Sequence, residues 1–220
     1  MNLLGIEASS ENISFCFYRK DKILGEENQL VKFGASKLVN NIEKKLKKNS
    51  LTISDFDAFV MGLGPGSFTG LRITGSIIKA FALAVRKPII GIGSFFSCAY
   101  SVKEVNKKVA VVADARKNLV YSACFHYTRG RIIRAGRERL STLEDAVNKK
   151  RDCMFVTYED HIREKIVSFG SKLVYPENVY PKAADLLMLA RERYEKKVFL
   201  PLEKLEPLYL HPKTCQIRRK

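Results

Sequence analysis

The chain has 220 residues, 46% of them hydrophobic, enough to bury the core of one domain or two small ones, which excludes an intrinsically disordered protein. Lys and Arg number 39 against 23 Asp and Glu, and the net charge of +16 points to a polyanionic partner with RNA foremost, to an acidic protein, or simply to a basic proteome. Five scattered cysteines without a C-x-x-C pair fit a reducing compartment, and three histidines (His126, His161, His211) without helix-face spacing leave no metal site in prospect.

The first apolar run meets Glu7 before a signal-peptide core forms, and the most apolar helix is interrupted by Arg72 and Lys79, so a cytoplasmic chain without a membrane span is expected. In chain order, Leu3–Ala8, Ile13–Arg19 and Lys22–Glu27 read as strands and Ser36–Lys48 as a helix. Asp57–Leu63 is apolar on both faces, as a buried strand requires. A glycine-bearing turn leads from it to a helix over Thr69–Arg86, stopped by Pro88; strand Pro88–Ile92 and helix Ser94–Val102 follow. From Lys108 the order repeats. Strands Val109–Ala115, Leu119–Thr128 and Arg131–Gly136 precede a helix opened by a capping box, Ser141-x-x-Glu144. Strand Cys153–Thr157, helix Glu159–Phe169, strand Lys172–Tyr175 and helix Pro181–Lys197 complete it. Two copies of one element order predict duplicated α/β halves with mixed sheets, divided as residues 1–105 and 106–220.

The turn "GLGPGSFTGLRITG", Gly62–Gly75, is the most specialised stretch. A strand end, a glycine-bearing turn and a helix N-terminus aim unpaired N–H groups at one spot, which makes Gly64, Gly66, Ser67 and Thr69 candidate nucleotide or anion contacts. The same glycines equally suit positive φ or tight strand–helix packing, and either Ser67 or Thr69 can be the N-cap. A Walker loop is excluded because Leu71 and Arg72 follow Gly70, and a dinucleotide fingerprint lacks its acid at the end of Pro88–Gly93. Arg72 sits in the first helical turn, where the dipole disfavours a cation, and calls for an acid or a ligand phosphate. The hairpin turns after Glu7 and at Asp114 carry polar groups, and Asp114 joins the nucleotide candidates. Ile73, Ile77 and Phe81 help make the helix apolar almost all round. One face must be covered, by the helix bearing Leu38, Ile42 and Leu46 or by another subunit. For RNA, the candidates are Arg131, Arg134 and Arg137, with Arg129, Arg139, Arg218, Arg219 and Lys220 beside them.

"GPGSFTGLRI", Gly64–Ile73, is similar to the signature of the TsaB (YeaZ) family; "LLGIEASS", "VVADARKNLVYSACF" and "LEPLYLHP" resemble other segments of those proteins in the same order. The resemblance implies the duplicated actin-like ATPase (ribonuclease H-like) fold. It also implies a non-catalytic scaffold subunit in the synthesis of N6-threonylcarbamoyladenosine on ANN-decoding tRNAs, acting by binding the catalytic TsaD. Contact with TsaD would run through the two helices, at Leu38, Ile42, Leu46, Arg72, Ile73, Ile77 and Phe81, with a homodimer when TsaD is absent. TsaE and tRNA would join the complex. No cofactor would be tightly bound, ATP or ADP entering at the level of the complex. Glu7, Ala8, Gly34 and Thr74 depart from the family pattern of Asp, Thr, His and Gly. An actin-like-fold ATP-dependent phosphotransferase using Asp114 or Glu7 is the alternative, on fold analogy.

Overall fold

A computed structural model describes residues 1–30, 35–103, 107–171 and 174–211. Gly34, Cys215, Arg218, Arg219 and Lys220 lie outside the described residues, as do Lys172 and Leu173 of the expected strand Lys172–Tyr175. The elements run β1 (Leu3–Glu7), β2 (Asn12–Arg19), β3 (Lys22–Leu30), α1 (Ala35–Lys48), β4 (Ala58–Gly62), α2 (Phe68–Val85), β5 (Ile89–Ile92) and α3 (Ser94–Ser101), then β6 (Val109–Arg116), β7 (Leu119–Thr128), β8 (Arg131–Ser141), α4 (Leu143–Asn148), β9 (Met154–Val156), α5 (Asp160–Ser168) and α6 (Ala183–Glu195). The duplicated order is as expected: three antiparallel strands, a helix, then a strand that joins the first in parallel.

The chain divides into two compact units, Met1–Ser97 with Pro181–Leu208, and Cys98–Tyr180 with the segment from Tyr209. This corrects the division at residue 105, because the last helix returns to the first unit. In that unit the sheet order is β3-β2-β1-β4-β5. Successive side chains of a strand point to opposite faces. Leu4 and Ile6 of β1 therefore join α1 and α2 in one core cluster, whereas Leu3 joins Ala183, Leu186 and Leu187 of α6 in another. The Ala183 N–H donates to Ser14 Oγ (2.8 Å), tying the start of α6 to β2. Beneath α1 and α2, Phe17, Phe56, Phe59 and Phe81 form a chain of ring contacts with centroids 5.2, 6.4 and 5.8 Å apart. Phe17, Phe56 and Phe59, fully buried, each contribute about 1.5–3 kcal/mol.

Among the described residues α2 is the one helix long and apolar enough to cross a membrane, with a mean hydropathy of 1.4 over 18 residues, despite Arg72 and Lys79. Ile77, Ile78 and Ala82 bury its inner side against the unit's own sheet.

The second unit has the order β8-β7-β6-β9, with α4 and α5 packed on Ala110, Val112 and Phe155. Strand β8 runs past Gly136 to Ser141. Gly136, at φ +87°, sits in an irregularity between the pairs Cys124↔Ala135 and Ser122↔Arg139, where β8 spends two extra residues instead of ending. Thr142, not Ser141, caps α4, accepting from the Asp145 N–H (3.2 Å). The expected strand over Lys172–Tyr175 leaves, among described residues, a single bridge from Val174 to Phe155.

Candidate functional site

The Gly62–Gly75 turn lies directly on the β1–β2 turn. Ser67 is the N-cap of α2, accepting from the Gly70 N–H at 3.3 Å, while Thr69 is exposed one residue into the helix. The Ser67 N–H donates to Ser9 O (2.6 Å) and the Gly64 N–H to Ser94 Oγ (3.0 Å). Protein oxygens thus engage the donors of Gly64, Ser67 and Gly70. A Cβ on Gly66 (φ +155°) would stand 2.0 Å from Ser9 O, and one on Gly70 2.0 Å from Ala8 O. Only glycine permits an approach this close. The covered segment, Ala8, Ser9 and Ser10, is buried.

Glu7 lies under the same turn with no accessible surface. Its Oε1 accepts from the Ser9 N–H (2.6 Å) and its Oε2 from the Ser94 hydroxyl (2.7 Å), so a chain of hydrogen bonds runs from Glu7 through Ser94 to Gly64. Burial pushes the Glu7 carboxyl above its ordinary pKa, and the bonds from Ser9 and Ser94 oppose that rise. Sequence reasoning passed over Ser94. The available signal was a serine directly after Gly93, at the start of a helical pattern.

Leu38, Ile42, Leu46 and Ile77, expected at a partner contact, are buried with Phe15 and Phe17 in the core, and Ile73 and Phe81 pack partly buried against it. They close the unit's own interior, with α1 and α2 sharing one core cluster. The large apolar side chains that α1 and α2 leave exposed, among lysines and other polar residues, are Val39 (36% exposed), Phe68 (46%) and Leu83 (62%). Arg72 is exposed, its guanidinium 3.8 Å from the centre of the Phe68 ring one turn earlier. The cation expected to seek an acid or a phosphate thus also finds an aromatic face, an interaction of about 0.5–1 kcal/mol at an exposed site.

Asp114 belongs to the other unit. Its Oδ1 accepts from the Arg116 N–H (2.7 Å), its own N–H donates to Glu159 Oε2 (2.7 Å), and Arg116 pairs with its carboxylate at 3.5 Å. These contacts close a hairpin turn in which Arg116, Lys117 and Asn118 all have positive φ. Arg131 and Arg134 are not brought together: they pair with Thr128 and Phe125, an odd number of residues apart, and so lie on opposite faces of β8. Arg134 forms an ion pair with Glu138. Arg137 lines a cavity with Arg139 and Lys149. Among the described residues no group of three or more His, Cys, Asp or Glu gathers as metal ligands would.

Two mixed sheets, each led by three antiparallel strands and extended by a strand parallel to the first, define a protein of the duplicated ribonuclease H-like class, the actin-like ATPase fold. Two solved structures from Pseudomonas aeruginosa share it: YeaZ (TM-score 0.83, 24% identity, 95% of this chain and 99% of that one) and a protein with similarity to peptidase YeaZ (0.85, 24%, 96% and 99%). The family model for TsaD, tRNA N6-adenosine threonylcarbamoyltransferase, matches residues 34–188; the chain belongs to that family, and within it to the TsaB (YeaZ) proteins. Similar curated relatives are the tRNA threonylcarbamoyladenosine biosynthesis proteins TsaB of Haemophilus influenzae, 28% identical over 96% of this chain and 93% of the relative, and of Escherichia coli, 25% identical over 96% and 94%. That of Bacillus subtilis is 22% identical over 88% of each.

Proposed function

We propose that the chain serves the synthesis of N6-threonylcarbamoyladenosine on tRNA in the cytoplasm as a non-catalytic subunit, docking TsaD through the outer side of α1 and α2. One observation carries this: with Leu38, Ile42, Leu46 and Ile77 satisfied inside, these helices still expose Val39, Phe68 and Leu83. Exposed apolar groups on rigid helices suit a protein partner. The anchoring of the α2 N-terminus by Ser67, Ser9 and the Glu7–Ser94–Gly64 chain supports a preformed docking element. In the absence of TsaD the same surface serves a homodimer.

The non-catalytic part is supported by what the acids do. Glu7 is enclosed and fully engaged, and the carboxylate of Asp114 closes its own turn. Neither is presented as a base or magnesium ligand to an incoming nucleotide, so the phosphotransferase alternative gains nothing from them. ATP or ADP then enters through the assembled complex with TsaD and TsaE, and Arg131 and Arg137 contact tRNA phosphates there.

Reconstitution tests this. TsaD, TsaE, ANN-decoding tRNA, ATP and the threonylcarbamoyl donor should yield modified adenosine only when the chain is present, and the chain alone should turn over no ATP. Full modification without it, or magnesium-dependent ATP turnover by the isolated chain that Asp114→Asn abolishes, overturns the proposal.

A further inference from the structure

On the α4 and α5 side of the second sheet two thiols meet. Cys124 of β7 and Cys153, in the turn ahead of β9, hold their sulfurs 3.5 Å apart. Both pack in one cluster with Ala110, the β6 residue that pairs with Cys124. They are unequally placed: Cys153 is 2% exposed, whereas Cys124 is half-buried and borders a cavity of about 340 Å³. Around that cavity stand Gly136, Arg137, Arg139, Lys149 and Lys150, and no carboxylate is among its described lining residues. Lys150 is itself buried, its ammonium donating to Ser122 Oγ at 3.1 Å. Asp145, outside the lining, pairs with Lys149.

We propose that Cys124 and Cys153 form a thiol–disulfide exchange site that takes a low-molecular-weight disulfide bearing carboxylates. The cavity supplies the cations, the half-buried sulfur is the point of attack, and the sulfur behind it is the resolving thiol. The two thiols are electronically matched to these tasks. Contact with the Cys153 sulfur, with the charge of Lys150 beside it, holds Cys124 below the usual thiol range against its partial burial, while Cys153 is pushed up by that same contact, by burial and by the Asp152 carboxylate 3.7 Å from its sulfur, and keeps its proton.

In the first step the Cys124 thiolate attacks one sulfur of RS–SR; a Cys124–SR bond forms, the S–S bond breaks, and RS⁻ leaves with the electron pair. In the second, Cys153 attacks the Cys124 sulfur, expels the other RS group and gives up its proton to it. The protein loses two electrons to form the Cys124–Cys153 disulfide, and the reagent becomes RS⁻ and RSH. The sulfurs must close from 3.5 Å to about 2.05 Å. Cys153 stands in the turn ahead of β9, outside the strand ladder that begins at Met154.

The test uses the full chain carrying Cys215→Ser, incubated with oxidised glutathione or with the uncharged bis(2-hydroxyethyl) disulfide and read by intact mass and peptide mapping. Glutathione should yield a Cys124–Cys153 disulfide, and Cys153→Ala should stop at a mixed disulfide on Cys124. Arg137→Ser with Arg139→Ser should slow the glutathione reaction about tenfold, at the low end of what a charged cleft adds to association, and leave the uncharged reagent unaffected. Mapping of the Cys215→Ser parent needs no core substitution, so it decides the matter even if the Cys153 variant misfolds. Modification of Cys16 or Cys98 in place of Cys124, a mixed disulfide that Cys153 never resolves, or equal rates with both reagents for the parent and the arginine variant would overturn the proposal.

Discussion

At Glu7, full burial and two hydrogen bonds pull in opposite directions, and burial prevails. A carboxyl whose folded pKa lies above its unfolded value of about 4.5 binds its proton more tightly in the folded state. Its contribution to stability is complete below the unfolded pKa and is lost as pH rises through the folded pKa. Glu7→Gln keeps an oxygen for the Ser9 N–H and removes the charge. Its melting temperature should therefore exceed that of the wild type at about pH 8, the advantage shrinking as pH falls toward the unfolded pKa. An advantage independent of pH would show that Glu7 is not the titrating group. Gly70→Ala probes the layer above. Its methyl would meet the backbone oxygen of Ala8, which cannot swing aside as a side chain can, so a loss of about 1–3 kcal/mol in denaturant unfolding is expected.

At the level of elements, α1 is held by its inner face. Ile42→Ala should cost about 2–5 kcal/mol of stability by leaving a cavity among Phe17 and its neighbours, whatever it does to a partner. At α4, Thr142→Ala should lose about 1 kcal/mol and Ser141→Ala close to nothing, since the cap bond comes from Thr142. The start of α4 was legible in the sequence one residue off, because Ser141 and Thr142 each stand three residues before an acid and only backbone direction decides which of them caps. Strands such as Ala58–Gly62 were legible because an uninterrupted apolar run has no exposed face to hide. The inner faces of α1 and α2 were legible as apolar but not as to what covers them, since periodicity records burial and not the burying partner. The meeting of Cys124 with Cys153 and of Ser94 with Glu7 depends on pairings 29 and 87 residues apart, which no local pattern encodes.

On the scale of the whole molecule, the same limit explains the misplaced division. The apolar pattern of α6 announces a buried helix, yet only the fold shows that the chain comes back to cover the second face of the first sheet. The net charge of +16 likewise names no surface. If Arg131 and Arg137 each neutralise a tRNA phosphate, replacing both by Ser should make the fall of log affinity with log salt for the TsaD complex shallower by about 1.4–1.8. An unchanged slope would assign those arginines to a solvated edge. The central claim is that the outward side of α1 and α2 is a docking surface distinct from the core beneath it, and the affinity of TsaD for the Leu83→Glu variant, set beside that variant's melting temperature, tests it most directly. Leu83 is 62% exposed, so the fold should melt as the wild type does while TsaD binding weakens about tenfold or more, or about 1.4 kcal/mol. TsaD binding at wild-type affinity by a Leu83→Glu protein that melts normally would contradict the account.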